Sequence, residues 1–477
     1  MMKPLFLSLL FSLSFCYSPA QQDTEFWFVC PEVSQTGGLN LDRPIFLRMT
    51  AFASAASVTI SQPAGGGFPT TVVAIPANST VSFDLTPWIN VLENKPPNTV
   101  LNFGLHIVAT TPISAYYHVV SGACLCNPED FVLKGSNAVG VDFWIPGQNV
   151  LNNDPGYTPT PHNAFDIVAT QNATTVTITP AQAIAGHAAG ATFTVVLNAG
   201  QTYCAEAAST LAANHLAGSR VTSDKPIAIT EKDDLLGYTS LGVYGADLIG
   251  DQIVPTNVLG TQYIPMYGGL TAPGDRLFIT ATQPGTTISL NGTYVTTIGA
   301  GATYMMFCPS PSGYVQTNNP VYVYQLSGIH SEVGSALLPQ INCTGSNTVS
   351  IQQSSTIDFK LNLLVKTVGT GSFLVNGAAG VITSGMFTIV PATGGIWSSA
   401  QVTMPVASYP IGSVLNIANA GNLFQMGYLS SGPPNSGADF GYFSNYGGIN
   451  PNPNGTTNIC DGDSLKLYAD SFGLATY

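Results

Sequence analysis

Apolar and polar residues alternate with a period of two almost wherever this chain carries a pattern. VTISQ (58–62), TTVVAI (70–75), STVSFDL (79–85), ATFTVVLN (191–198) and VYVYQLS (321–327) are β-branched and aromatic runs of this kind, and such runs form half-buried strands. Clusters of Gly, Asn, Pro and Ser separate them about every 8–12 residues, the spacing of a sandwich or barrel. Helix has little room. AQAIAGHAAGA (181–191) is the best helix candidate, yet Gly186 and Gly190 each cost about 1 kcal/mol inside a helix, so the segment reads as a loop.

The strands belong to a repeat. IVATTPI (107–113), VTSDKPI (221–227) and VQTNNPV (315–321) each place an aliphatic residue five positions before a proline and another directly after it. A degenerate fourth copy, IANAGNL (417–423), has Asn422 at the proline position. The copies recur about every hundred residues, too long for a solenoid or propeller repeat and long enough for a small domain. A second motif precedes the first: FDIVATQNATTVTI (165–178) matches LFITATQPGTTISL (277–290). The proline motif reads as strand, sharp turn, strand. Ser223-Asp224-Lys225 and Thr317-Asn318-Asn319 supply turn chemistry, and proline opens the next strand, where its missing N–H costs no ladder bond. Small-residue loops follow, and GADLIG (245–250) and GADFGY (437–442) open alike.

These patterns predict an all-β chain of tandem antiparallel β-sandwich-like units of about 100 residues, with a closed, pseudo-symmetric, propeller-like assembly as the alternative. The expected units are 21–150, 151–268, 269–350 and 351–446, followed by a Pro/Gly/Asn linker at 447–458.

Composition narrows the function. Only 8% of residues are charged while 45% are hydrophobic, so the chain folds rather than staying disordered. A net charge of −13 with 12 Lys and Arg argues against a nucleic-acid partner. Residues 1–20 have the layout of a secretory signal: Lys3, an apolar Leu5–Phe15 stretch, and Ser18-Pro19-Ala20 before Gln21. That stretch is shorter than the roughly 20 residues a membrane-spanning helix needs. An exported chain makes Cys30, Cys124, Cys126, Cys204, Cys308, Cys343 and Cys460 disulfide material. Cys308 and Cys343 flank one strand within one repeat and are paired here. Cys30, Cys124, Cys126 and Cys204 supply two more bridges of open connectivity.

The ATQxxTTVxI-type strands at 169–178 and 281–290, the VxSxxPI-type turns at 221–227 and 315–321, and the segments 246–265 and 331–340 together resemble the IgGFc-binding protein N-terminal domain family. The resemblance spans roughly residues 25–446. It implies a secreted or surface protein, of the kind found among large bacterial surface proteins, with an extracellular protein or glycan partner. No residue set carries the antibody binding in the family's name, so that activity is not transferred. ICDGDSLKLYADSFGLATY (459–477) resembles the opening of an Ig-like module that follows such domains; a truncated module there leaves Cys460 to pair beyond it.

Catalytic chemistry finds no foothold. None of His106, His118, His162, His187, His215 and His330 pairs at a metal-ligand spacing, and no nucleophile elbow or phosphate loop appears. The densest acidic cluster is Glu231, Asp233, Asp234, Asp247 and Asp251. It reads as a solvated acidic loop, with calcium as a weaker alternative because hard cations take several carboxylate oxygens. Tyr116-Tyr117 and Tyr263/Tyr267 read as strand aromatics ahead of carbohydrate-stacking platforms. The expected function is non-catalytic adhesion or ligand binding outside the cell, to a glycoprotein, mucin or matrix component. The alternatives are a secreted polysaccharide hydrolase and a structural spacer. No cofactor beyond calcium is expected.

Overall fold

The structure is a computed structural model describing residues 22–35, 40–237, 246–271, 274–342, 344–432 and 437–447. The signal segment, residues 448–477, Cys343 and Cys460 lie outside the described residues. Among those described there is no α-helix, only short 3-10 turns, and no helix long and apolar enough to cross a membrane.

Four units follow one another. The first holds β1 (Asp23–Phe28), β2 (Ile45–Ala51), β3 (Ala56–Ser61), β4 (Thr71–Ile75), β5 (Ser79–Asp84), β7 (Leu105–Val119) and β8 (Glu129–Val132), while β6 (Val100–Leu101) pairs with a strand of the second unit. The second holds β9 (Gly140–Trp144), β10 (Asn152–Asn153), β11 (Asn163–Ala169), β12 (Thr174–Thr179), β13 (Phe193–Leu197), β14 (Thr202–Glu206), β15 (Arg220–Gly237) and β16 (Ala246–Gln252). The third holds β17 (Gly260–Tyr263), β18 (Arg276–Ala281), β19 (Thr286–Leu290), β20 (Thr293–Ile298), β21 (Thr303–Phe307), β22 (Val315–Ile329) and β23 (Glu332–Leu337). The fourth holds β24 (Thr348–Gln352), β25 (Phe359–Lys366), β26 (Phe373–Val375), β27 (Thr388–Ile389), β28 (Trp397–Met404), β29 (Val414–Asn419), β30 (Phe424–Ser431) and β31 (Ala438–Phe443).

Each of the first three units is an antiparallel sandwich whose two sheets share one long strand. In the second unit the first half of β15 pairs with β9 and β12, and its second half with β11 and β16. The long strands β7, β15 and β22 run 15, 18 and 15 residues. In the fourth unit the same strand is split into β29 and β30, one in each sheet, with Asn422 between them. Because β9 and β17 pair with the long strand that follows them, they belong to the second and third units. The unit ends therefore lie several residues before 150/151 and 268/269, and 350/351 falls inside β24.

The proline motif is thus one bent strand, and the expected break into two strands at a sharp turn is corrected. Pro226 sits where β15 leaves one sheet for the other: β12 pairs up to Ser223 and β11 begins at Ile227. Neither ladder claims an N–H at that point, so proline is tolerated inside a strand. The bend is tied by side chains that recur between units. Ser223 Oγ donates to the Lys225 carbonyl at 2.6 Å and Thr317 Oγ1 to the Asn319 carbonyl at 2.7 Å. Asp224 and Asn318 each accept a backbone N–H, from Thr175 and Thr287, both at 2.7 Å. Thr170 and Thr282 donate to the carbonyls of Pro226 and Pro320 at 2.7 and 2.6 Å. The two repeated sequence motifs therefore recur together because they lock into each other.

The units close into a ring. Their last strands touch in cyclic order, β8 to β16, β16 to β23, β23 to β31 and β31 back to β8. Each unit's core is completed by its neighbour. Leu248 of β16 packs in the first core, Tyr322 and Leu337 in the second, Leu429, Phe440 and Tyr442 in the third, and Tyr116 and Val132 of the first unit in the fourth. The sandwich units and the closed assembly are thus features of one architecture. Tyr116, Tyr117 and Tyr263 are buried in these cores.

Glycines permit the close approach at the hub. A Cβ on Gly250 would meet Phe131 Cε1 at 2.4 Å and the Glu231 carbonyl oxygen at 2.5 Å, and one on Gly441 would meet Phe443 Cε2 at 2.8 Å. Gly250→Ala is expected to destabilise the protein by about 2 kcal/mol or more through overpacking. Gly299→Ala, at a site with open space, is expected to stay within about 1 kcal/mol of the parent. Denaturant unfolding measures both, and equal effects would contradict a tight hub.

Candidate functional site: a carboxylate-stapled hub and an amide-lined groove

The four hub strands each pair on one side with the long strand of their own unit. On the other side, no backbone ladder joins them to one another. An unpaired buried N–H carries the desolvation cost of a lost hydrogen bond, and here side-chain oxygens of neighbouring units take the donors. Asp251 accepts from Val132 N at 3.2 Å and Leu337 N at 3.0 Å. Asp247 accepts from Val333 N at 2.7 Å, Glu129 from Ser335 N at 3.2 Å, and Glu332 from Gly437 N at 2.7 Å. Gln252 accepts from Lys134 N at 2.8 Å, and Asn127 from Leu248 N. Lys134 then closes the pattern with its ammonium 2.6 Å from Asp251.

This placement corrects the solvated acidic loop. Glu231, Asp233, Asp234, Asp247 and Asp251 lie on the paired strands β15 and β16 and are all buried. They face hydrogen-bond donors. Asp233 accepts from Asn153 Nδ2 at 2.8 Å and Gln148 Nε2 at 2.6 Å, and lies 3.0 Å from His215 Nδ1. Asp234 accepts from Ser34 N and Oγ at 2.8 and 2.7 Å, with Lys232 at 3.7 Å. Glu231 accepts from Asn163 Nδ2 at 3.3 Å. Burial, then the neighbouring Asp233, pushes Glu231 well above the usual carboxylate range, and burial holds Asp234 up at about 6 against the pull of Lys232. Most of the partners lie 68 to 200 residues away in the chain, which hid this network from a reading of local spacing.

Three ligand-capable groups converge elsewhere, at the seam of the first and fourth units. His118 of β7, Asp130 of β8 and Asp439 of β31 each bring one such atom within 4.8 Å of the others. His118 Nδ1 lies 2.8 Å from Asp130 Oδ1 and 3.9 Å from Asp439 Oδ2. Burial, reinforced by Arg48, pushes the imidazole down to about 3, and burial raises Asp130 to about 6. No sequence spacing singled out these residues; the shared Gly-Ala-Asp openings at Asp247 and Asp439 were the nearest signal.

An open groove of about 440 Å³ lies between the first two units, lined by Asn102, Asn172, Asn198 and Gln201 with Pro63, Ala64 and Ala199. Three of its carboxamides are oriented through their oxygens. Asn198 Oδ1 accepts from Ala173 N at 3.0 Å, Asn172 Oδ1 from Ala199 N at 3.1 Å, and Asn102 Oδ1 from Gln201 Nε2 at 3.0 Å. With its oxygen so engaged, each of these carboxamides retains an NH₂ group as its donor.

The cysteines settle differently from expectation. Cys124 and Cys126 bond to each other, their Cα atoms 5.0 Å apart across a loop in which Leu125 takes a φ of 54°. Cys30 and Cys204 are buried free thiols in place of bridge partners. Cys30 hydrogen-bonds Tyr117 and Cys204 hydrogen-bonds Asp166, and burial pushes both thiols up. Cys308 is buried as a thiol near Gln325, while Cys343 lies outside the described residues.

Four interlocked sandwiches whose buried charges serve the architecture define a multi-unit all-β protein. The sequence pattern of the IgGFc binding protein family matches residues 129–421, well over half of the chain, and the chain belongs to that family. The match begins at the first residue of β8 and takes in the whole second and third units. No curated protein matches the chain.

Two outcomes follow for the buried charges. Lys134→Met leaves Asp251 without its cation and is expected to cost about 3–5 kcal/mol by denaturant unfolding, against nearly nothing for exposed Lys366→Met. Burial pushes Asp166 up to about 7 and Glu93 up to about 8. Raised carboxyls bind protons more tightly in the folded state, so their contribution is complete below about pH 4 and is lost as pH rises through 7 to 8. The melting temperature is expected to fall between pH 5 and 8.5. Asp166→Asn should flatten that slope; an unchanged slope would count against Asp166 as a source.

Proposed function

We propose that this chain is a secreted or cell-surface module that captures an extracellular glycoprotein, mucin or matrix ligand without turning it over. Membership of a binding-type family carries the reading, and that family's description names the Fc region of IgG as a target. Two features support it. Hub carboxylates suited to acid–base work are engaged with backbone N–H groups and lysines inside the protein. The groove between the first two units instead offers fixed, uncharged NH₂ donors, which suit the hydroxyl and N-acetyl acceptors of a glycan.

Binding to a glycan array, to purified mucin and to IgG Fc tests the reading together. Glycan or mucin binding is expected. The double variant Asn172→Asp/Asn198→Asp keeps each backbone contact but replaces the free donor with an acceptor, and should weaken binding at least about tenfold, near 1.4 kcal/mol. Fc binding insensitive to these substitutions would move the ligand away from the groove. Turnover of any polysaccharide would establish a hydrolase, and no binding at all would leave a spacer.

A further inference from the structure

The seam between the first and fourth units holds buried polar atoms that hydrogen bonding leaves unsatisfied. His118, Asp130 and Asp439 are buried to within 2% of complete. His118 Nε2 and Asp439 Oδ1 have no hydrogen-bond partner there. Fully buried polar atoms are almost always paired, and an orphan demands a cause. Glu129 lies beside them, and its two oxygens are taken by Asp130 N and Ser335 N at 3.2 Å each. The cation acting on this group is Arg48, whose Nη1 is turned to the Gln352 carbonyl at 3.2 Å. Three carboxyl groups crowd against one guanidinium at this seam, a concentration of buried acceptors that calls for protons or a cation.

We propose that His118, Asp130 and Asp439 form a binding site for a divalent transition cation of the zinc class, which pins the first unit to the fourth. A dication there lets both aspartates ionise and takes up the orphaned carboxylate oxygen. One imidazole nitrogen and two carboxylate oxygens suit zinc, whereas calcium takes six to eight oxygens and magnesium keeps an oxygen octahedron. Ser354 Oγ, 3.0 Å from Asp439 Oδ2, is placed to orient that carboxylate. The ring nitrogen of His118 that does not hold the ion keeps the proton. The site lies at the one junction that joins residues near both ends of the ring, so its occupancy bears on closure and not on ligand capture.

The test uses the whole purified chain, stripped with a chelator and then titrated separately with Zn²⁺, Co²⁺ and Ca²⁺. Zn²⁺ should raise the melting temperature by several degrees with one-to-one stoichiometry by calorimetry. Co²⁺ should give a visible d–d spectrum that Zn²⁺ abolishes, and Ca²⁺ should do neither. Asp439→Asn should lose the Co²⁺ spectrum and the Zn²⁺ stabilisation. If that variant does not fold, Ser354→Ala, which removes only the orienting hydroxyl, should weaken Zn²⁺ binding about tenfold. Absence of any Zn²⁺ effect on the parent chain overturns the site, as does a Zn²⁺ effect undiminished in both variants. The carboxylates would then share a proton instead.

Discussion

Everything in this structure depends on side-chain oxygens doing the work of a missing backbone ladder. A strand edge buried against other strands must satisfy its N–H groups or be expelled. The four hub strands meet in a ring without a backbone ladder between them. Asp251, Asp247, Glu129 and Glu332 bridge the gap by accepting from the next strand's backbone. A carboxylate is the strongest acceptor available for that role. The cost is a buried charge, met by Lys134, by proton uptake and by further donors. Glycines at 250, 334 and 441 are the steric counterpart, since a side chain there would push the strands apart before the carboxylates could reach.

The hub in turn explains the bent strand. A unit that packed both its sheets within itself would have no need of an 18-residue strand. Here the first half of that strand serves the outer sheet and the second half serves the sheet that carries the hub strand. Proline marks the crossing because the crossing is the one place where an N–H is not claimed. The threonine of the ATQ motif is tied to the proline carbonyl, so the outer turns set the angle at which each unit meets its neighbours.

Local chemistry was legible in the amino-acid sequence, and long-range chemistry was not. Period-two alternation located the strands, and the repeated motifs located the units, because both depend on neighbours a few residues away. Gly186 and Gly190 correctly argued against a helix. The proline was read as the start of a strand because sequence shows that a ladder bond is missing, not that the strand continues on a second sheet. Asp247 and Asp251 lie four apart on one strand and look like a solvated face; their partners, Val333 and Leu337, are 86 residues away. His118 paired with nothing at a metal spacing because its companions sit 12 residues on and in another unit. The glycines between the hub strands were visible, but only the ring gives them meaning.

The exchange of core residues has a consequence for how such a chain is made. The first core takes Leu248, the second takes Leu337, the third takes Phe440, and the fourth returns to Tyr116 and Val132. No unit is complete when its own residues have left the ribosome. The first waits for the second, and the fourth uses residues made long before. Synthesis therefore carries an unfinished surface forward from unit to unit until about residue 443, when the fourth can close onto the first. A gene of this design cannot gain or lose one unit, as a solenoid gene can, without leaving one core open and one strand unmatched. Four is a closed count, and change must come in the loops.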